Sequence, residues 1–169
     1  AINMRAPYQN TPDLRQRINS HDTHYFDRHL SELAQEARYG FIGKIDYAII
    51  EASDINDDGE IVLGTGAGNT PTWAMMADKI FIELNEALPK ELRGMHDLYM
   101  PADPPYRREI PIYSPSDRIG SPVLRIDPRK VAGVVRSNAL DGVKPFTEPD
   151  EVSKQIGSNV VNFLLGELH

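Results

Sequence analysis

The feature that most constrains the fold is an ordered series of short segments between residues 45 and 84. In chain order they are an apolar run (Ile45–Ala52), a turn (Asn56–Gly59), a second extended run (Glu60–Leu63), a glycine-rich loop (Gly64–Asn69), a helix opened by Pro71 and a further apolar run (Lys79–Leu84). Short apolar runs bounded by turn signals are typical of buried strands, and the first two runs predict a hairpin. Strand, loop, helix and strand in succession indicate parallel pairing. We therefore expect an α/β fold with an open, mainly parallel sheet and flanking helices.

The remaining segments are organised around this unit. Seven prolines between residues 101 and 128 exclude a regular helix there and predict a long, stiff, irregular excursion. Thr11-Pro12-Asp13 is a helix-start signal and predicts a helix over residues 13–18. Apolar spacing predicts helices over 29–39 and 150–168, and strands are predicted over 24–26 and 131–136. We expect an irregular and helical lead-in (1–43), an α/β core (44–149) and a terminal linker helix (150–169).

Composition narrows the class of function. A formal net charge of −7, with no stripe of Lys and Arg, disfavours nucleic acid as a partner. The absence of cysteine excludes a disulfide framework, a thiol nucleophile and a thiolate metal site. No apolar run is long enough to span a bilayer, and residues 1–5 contain no apolar stretch typical of a signal peptide. We expect no membrane partner and a cytoplasmic location, or a mitochondrial one if the parent is eukaryotic.

Several short phrases, specific through their order and spacing, resemble a known family. They are Arg5–Gln9, Asp27–Ser31, Ala48–Ala52, Asn56–Gly59, Gly68–Pro71, Ala77–Ile80, Ile82–Asn85, Gly94–Asp97, Arg107–Ile112, Asp117–Gly120 and Asp127-Pro128. In this order they resemble the acetyl-CoA hydrolase/transferase family, which includes acetate, butyrate, succinate and 4-hydroxybutyrate CoA-transferases. The resemblance covers nearly the whole chain.

The resemblance implies an enzyme that moves CoA between an acyl-CoA and acetate or a similar small carboxylate, or that hydrolyses the thioester. Members have two α/β domains. A glutamate of the second domain attacks the thioester, and glycine-rich loops of that domain supply oxyanion donors. The last residues, Val160 to His169, resemble the helix that leads into it. We therefore assign no catalytic residue and no covalently bound cofactor, expect coenzyme A or acyl-CoA as substrate, and expect this chain alone to be inactive.

The loop before the helix is the first candidate ligand site. Backbone N–H groups ahead of a helix can hold an anion, and the family resemblance favours substrate or CoA contact at Gly66, Gly68, Asn69 and Thr70. The Gly64-x-Gly66-x-Gly68 spacing is not a complete dinucleotide fingerprint, and no P-loop lysine follows it. The alternative is a tight strand-to-helix turn.

The second candidate group lies between residues 96 and 118. His96 and Asp97 could form an acid–base pair, although adjacent residues of an extended segment point to opposite sides. Arg107, Arg108 and Arg118 could bind a phosphate or a carboxylate. The alternatives are loop hydrogen bonds for the first two residues and surface ion pairs with Glu109 or Asp117 for the arginines.

Two further expectations concern metals and partners. His21, His24 and His29 lie near Asp22 and Asp27 in the sequence, but their spacing fits no standard metal site, and we assign no metal ligand. An isolated first domain would expose apolar surface, which predicts a homo-oligomer. The rival hypothesis is a non-catalytic module that binds CoA or a protein partner through the proline-rich excursion.

Overall fold

A computed structural model describes residues 5–9, 11–140, 142 and 146–168 and divides the chain into two units, residues 1–139 and 140–169. The elements of the first unit are β1 (Arg5–Ala6), α1 (Pro12–Asn19), β2 (His24–Tyr25), α2 (Leu30–Arg38), β3 (Tyr47–Ile55), β4 (Glu60–Leu63), α3 (Thr70–Met76), β5 (Lys79–Asn85), β6 (Leu124–Arg125) and β7 (Val131–Ser137). Single 3-10 turns cover Lys90–Leu92 and Pro128–Lys130. The expectations that rest on residues 1–4 and on His169 lie outside the described residues.

The main sheet has five strands in the order β6-β4-β3-β5-β7. Its centre is parallel, as the sequence predicts: β3 pairs with β5 in the register Ile50↔Ile82, and β5 pairs with β7. The predicted hairpin makes β3 and β4 antiparallel, and β6 adds a further antiparallel pair. The result is an open mixed sheet in which β3, β5 and β7 are parallel and the core side chains come mainly from β3, β4 and β5. The predicted α/β class is confirmed.

The hairpin turn depends on Gly59. This residue has φ +77°, in the left-handed region that favours glycine, and a Cβ there would lie 2.3 Å from the carbonyl oxygen of Ile126. The turn is also held by Asn56, whose side-chain oxygen accepts a hydrogen bond from the backbone N–H of Glu60 at 2.9 Å. The Asn-Asp-Asp-Gly signal was therefore sufficient to place the turn.

The core lies on one face of the sheet. Buried side chains of alternate strand positions, such as Ile50, Ile80 and Ile82, pack with Ala74 and Ala77 from the segment around α3. Period-two alternation explains this, because every second residue of β3 and β5 faces the same side. The opposite face carries exposed apolar side chains, which the sequence did not predict because both strands were expected to be buried on both faces.

The helix ends follow the capping signals in the sequence. Thr11 accepts the backbone N–H of Leu14 at 3.2 Å and caps α1, with Pro12 in the first turn. Gly40, just beyond α2, has φ +83°, as expected of a glycine that ends a helix. These two helices and β2 confirm the predicted elements of the lead-in.

The proline-rich excursion is irregular for most of its length, as predicted. Leu98 and Ser121 form an antiparallel bridge that closes it at the base. We call residues 98–121 the arm. Just beyond the base, the two-residue strand β6 joins the sheet. The sequence did not predict that strand, because a two-residue strand has no periodicity to detect.

The second unit contains α4 (Glu151–Glu167), which matches the predicted last helix. Asp150 caps it by accepting the backbone N–H of Ser153 at 2.7 Å, and hydrogen bonds from the Ser153 side chain and backbone lower the pKa of the Asp150 carboxyl. Its apolar residues, Ile156, Val160 and Phe163 among them, are exposed. Within the part of the chain that the structure describes, no helix is long and apolar enough to cross a membrane.

Candidate functional site

The glycine-rich loop connects the end of β4 to the start of α3. Its centre is open: a Cβ built at Gly66 or Gly68 meets no atom within 4 Å, and Gly68 has φ +48°. The carbonyl oxygen of Asn69 accepts the backbone N–H groups of Thr72 and Trp73 at 3.0 and 3.2 Å. Asn69 therefore caps α3 through its backbone, and its side chain makes no capping bond. Helix α3 is only seven residues long, so the anion-binding capacity here rests on the loop backbone.

The start of the loop is closed, in contrast to its centre. A Cβ at Gly64 would lie 2.7 Å from the Oε2 atom of Glu51 and 3.2 Å from the Cδ1 atom of Leu88. Only glycine leaves room for the Glu51 carboxylate at this position. The loop thus leaves the sheet directly over Glu51.

Glu51 is held by Asn85, and sequence reasoning assigned no role to either residue. Asn85 is 1% exposed, and its Nδ2 atom donates to Glu51 Oε1 and to the carbonyl oxygen of Ala139, both at 2.8 Å. Its Oδ1 atom accepts the backbone N–H of Ala87 at 3.1 Å. This buried amide joins the carboxyl ends of two parallel strands to the chain that follows β7. The sequence signal that could have identified Asn85 is a polar residue at the end of an apolar strand.

His96 lies beside the loop, and Asp97 does not cooperate with it. The Nε2 atom of His96 is 3.4 Å from the carbonyl oxygen of Leu63, the residue before Gly64. The Asp97 carboxylate instead accepts the backbone N–H groups of Ile119 and Gly120, at 3.2 and 2.6 Å. Asp97, the residue before the arm, therefore holds the C-terminal end of the arm against its N-terminal end.

The three predicted arginines occupy different places. Arg118 donates to the carbonyl oxygens of Gly94 and His96, at 2.8 and 2.6 Å, and so reinforces the base of the arm. Arg107 donates to Gln35 of α2 at 2.7 Å, and Arg108 is exposed. The alternative partners Glu109 and Asp117 instead accept hydrogen bonds from Tyr113, at 3.1 and 2.8 Å.

The arrangement therefore brings together the glycine-rich loop, His96, Glu51 and Asn85, while Arg107 lies against α2. A cavity of about 570 Å³ lies elsewhere, lined by residues that include Pro7, Phe26, Leu33, Phe41 and Trp73. None of the predicted ligand contacts is among its lining residues. Among the described residues, no group of three or more His, Cys, Asp and Glu side chains is placed to hold a metal ion.

Comparisons with known proteins agree with this architecture. Residues 1–137 match the family model described as the acetyl-CoA hydrolase/transferase N-terminal domain. The chain is 42% identical over 167 residues to a succinyl-CoA:acetate CoA-transferase of Clostridium kluyveri, covering 99% of this chain and 31% of that protein. It is 41% identical to a propanoyl-CoA:succinate CoA transferase of Escherichia coli, covering 99% and 34%. An acetyl-CoA hydrolase of Saccharomyces cerevisiae is 37% identical, covering 97% and 32%.

A solved structure shows the same fold. RipA from Yersinia pestis matches with a TM-score of 0.54 and 12% identity, over 89% of this chain and 29% of that chain. The chain spans about a third of the length of the curated relatives it matches. The family model covers most of the chain, and the ordered phrases of the sequence fall within it. The chain therefore belongs to the acetyl-CoA hydrolase/transferase family, in which it matches the N-terminal domain.

Proposed function

We propose that this chain is the substrate-binding first domain of an enzyme that moves CoA from an acyl-CoA to a small carboxylate or hydrolyses the thioester. The observation that carries the proposal is the open backbone at Gly66 and Gly68, set between β4 and α3 and flanked by His96. The relatives named as CoA-transferases and acetyl-CoA hydrolases support this class of reaction. The rival, a non-catalytic module, has no such support.

The proposed contacts fall into two groups. Gly66, Gly68 and Asn69 would hold an anionic part of the CoA substrate through backbone N–H groups, and Thr70, whose own N–H donates to the carbonyl oxygen of Ala67 at 3.1 Å, would contact it through its side chain. His96 would complete that side of the site. The second group consists of Asp97, Arg107, Arg108 and Arg118. Of these, Asp97 and Arg118 would act by fixing the base of the arm, and the exposed Arg108 is the arginine most available to a phosphate.

We propose further that the nucleophilic glutamate lies outside these residues. The family's chemistry needs a carboxylate nucleophile and donors aimed at the developing oxyanion. The part of the relatives that this chain does not match, about two thirds of their length, is where the resemblance places those groups. A domain with the loop alone would bind substrate without turning it over. The cytoplasm, or the mitochondrion in a eukaryote, is the proposed location.

The test is a titration of the chain with CoA, combined with an assay of thiol release from acetyl-CoA in the presence of acetate or succinate. We expect saturable binding and no thiol release above the buffer rate. Gly66→Val should weaken binding, because its side chain fills the open centre of the loop. Gly133→Ala, on β7 and outside the loop, is the control. Turnover by the wild-type chain would contradict the assignment of the nucleophile to another part of the enzyme.

We also propose that the chain self-associates through the exposed face of the sheet. Tyr47 and Phe81 lie in contact there, with ring centroids 5.8 Å apart, and Ile49, which pairs with Phe81 in the sheet register, is 78% exposed. Parallel sheets are covered on both faces in folded proteins. Lys79 and Glu83 lie on this face of β5, one on each side of Phe81. A two-fold axis through Phe81 would place Lys79 of one copy against Glu83 of the other, so the face is self-complementary.

Sedimentation velocity tests this proposal. Wild-type chain should form a concentration-dependent dimer, and Ile49→Lys should shift it to monomer, because the substitution buries a charge in the proposed interface. Met95→Lys changes a similarly exposed apolar residue in a loop and should leave the dimer intact. A wild-type monomer at high concentration would overturn the proposal.

A further inference from the structure

One arginine ties the arm to helix α2. The Nε and Nη2 atoms of Arg38 donate to the two carboxylate oxygens of Asp103, at 2.7 and 2.5 Å. Both side chains are mostly buried, with 16% of Arg38 and 21% of Asp103 exposed. The paired hydrogen bonds lower the pKa of the Asp103 carboxyl and raise that of Arg38. Such a bidentate pair fixes both position and orientation.

The same guanidinium reaches a third element. Its Nη1 atom donates to the Oγ1 atom of Thr72 at 2.8 Å. Thr72 is buried in the first turn of α3, and its backbone N–H bonds the carbonyl oxygen of Asn69, the last residue of the glycine-rich loop. Through this chain of contacts, Arg38 connects α2, the arm and the end of the loop.

Two neighbouring hydrogen bonds also hold the arm against α2, but neither of them reaches the glycine-rich loop. The Tyr39 hydroxyl donates to the carbonyl oxygen of Pro104 at 2.6 Å, and Arg107 donates to Gln35 at 2.7 Å. Both fasten the arm to α2 alone. Arg38 is the residue whose contacts extend to α3, and no sequence pattern predicted it, because its partners lie 34 and 65 residues away.

We propose that Arg38 is a positioning residue that sets the glycine-rich loop relative to the arm. A lysine cannot replace it, because one ammonium group lacks the planar fork needed to hold Asp103 and Thr72 together. The inference rests on the proposed function only for the identity of the ligand, CoA. The mechanical link between Arg38 and the loop is measurable in the chain without ligand.

Amide NMR spectra and hydrogen exchange of the full chain test the link. Arg38→Lys should shift the amide signals of Gly66 and Gly68, and it should reduce the protection of the Tyr106 amide, which bonds the carbonyl oxygen of Asp103 at 2.9 Å. Thr72→Val should move the glycine signals and leave Tyr106 protected. Asp103→Asn should reduce the protection of Tyr106. Arg28→Lys is the matched control, because the same substitution alters an ion pair of 2.9 Å with Glu36 of α2 that does not touch α3.

The outcomes separate the two proposals. The positioning role predicts that Arg38→Lys weakens CoA binding about tenfold, with no such loss for Arg28→Lys. Glycine signals unmoved in both Arg38→Lys and Thr72→Val would overturn the positioning role. If Arg38→Lys fails to fold, Thr72→Val and Asp103→Asn decide the question. If the Gly66 and Gly68 signals shift as predicted but the chain does not bind CoA, the link between Arg38 and the loop is sustained and the proposed function is overturned.

Discussion

Replacing Asn85 with aspartate is expected to lower the free energy of unfolding by about 3 kcal/mol at pH 7. The substitution keeps the shape of the side chain but replaces an N–H donor by an oxygen, 2.8 Å from Glu51 and 2.8 Å from the carbonyl oxygen of Ala139. Two favourable contacts become repulsive ones, in a position that is 1% exposed. Urea denaturation of the two proteins measures the difference.

The pH dependence of this effect has a definite sign. The carboxyl introduced by Asn85→Asp faces Glu51 and is buried, so its pKa in the folded state is raised above its value in the unfolded state. The folded state then binds the extra proton more tightly, so the destabilisation is largest above the raised pKa and shrinks as the pH falls through it. A protonated carboxyl donates its O–H to Glu51, as the amide did.

Asn56→Asp is the matched control. The Nδ2 atom of Asn56 also donates to a glutamate, Glu60, at 3.0 Å, but Asn56 is exposed. Water screens the resulting repulsion, so we expect a loss below about 1 kcal/mol. Equal losses for the two substitutions, or an Asn85→Asp effect that does not change with pH, would contradict the role assigned to the buried amide.

Gly120→Ala is expected to open the base of the arm and to cost about 2–3 kcal/mol. A Cβ at Gly120 would lie 2.3 Å from the carbonyl oxygen of Leu98 and 2.9 Å from the carbonyl carbon of Asp97. Both are backbone atoms, which cannot rotate away as a side chain does. The bond from the Gly120 N–H to Asp97 at 2.6 Å would be lost with the contact.

Hydrogen exchange at the Ser121 amide, which bonds the carbonyl oxygen of Leu98 at 3.0 Å, reports this opening directly. Gly133→Ala is the control, because its new methyl group would come no closer than 3.4 Å to the Phe81 ring. We expect lost protection at Ser121 in Gly120→Ala and none in Gly133→Ala. Unchanged protection in both variants would show that the base of the arm does not depend on this close approach.

The sequence predicted the elements that depend on local signals. The hairpin follows from the Asn56–Gly59 turn, and the strands β3 and β5 follow from short apolar runs bounded by turn signals. The capping residue Thr11 predicted the start of α1, whereas α4 was predicted from its apolar stripe, which includes Val152 and Ile156. These features require only neighbours in the chain, which is why single-sequence reasoning reached them.

The sequence did not predict the contacts that depend on the assembled fold. Asn85 meets Glu51 only because β3 and β5 are parallel and in one register, and Arg38 meets Asp103 across 65 residues. The ligand contacts predicted at Asp97 and Arg118 illustrate the same limit. Both carry polar groups suited to binding, and both are engaged with backbone atoms at the base of the arm. Their contact with substrate stays a prediction.

Substrate binding without turnover is tested by a CoA titration of the ¹⁵N-labelled chain, with acetyl-CoA and a carboxylate acceptor assayed in parallel. We predict saturable shifts of the Gly66, Gly68 and Asn69 amides and no release of free thiol. Amides of the loop that do not respond to CoA, or thiol release by the chain alone, would contradict this prediction.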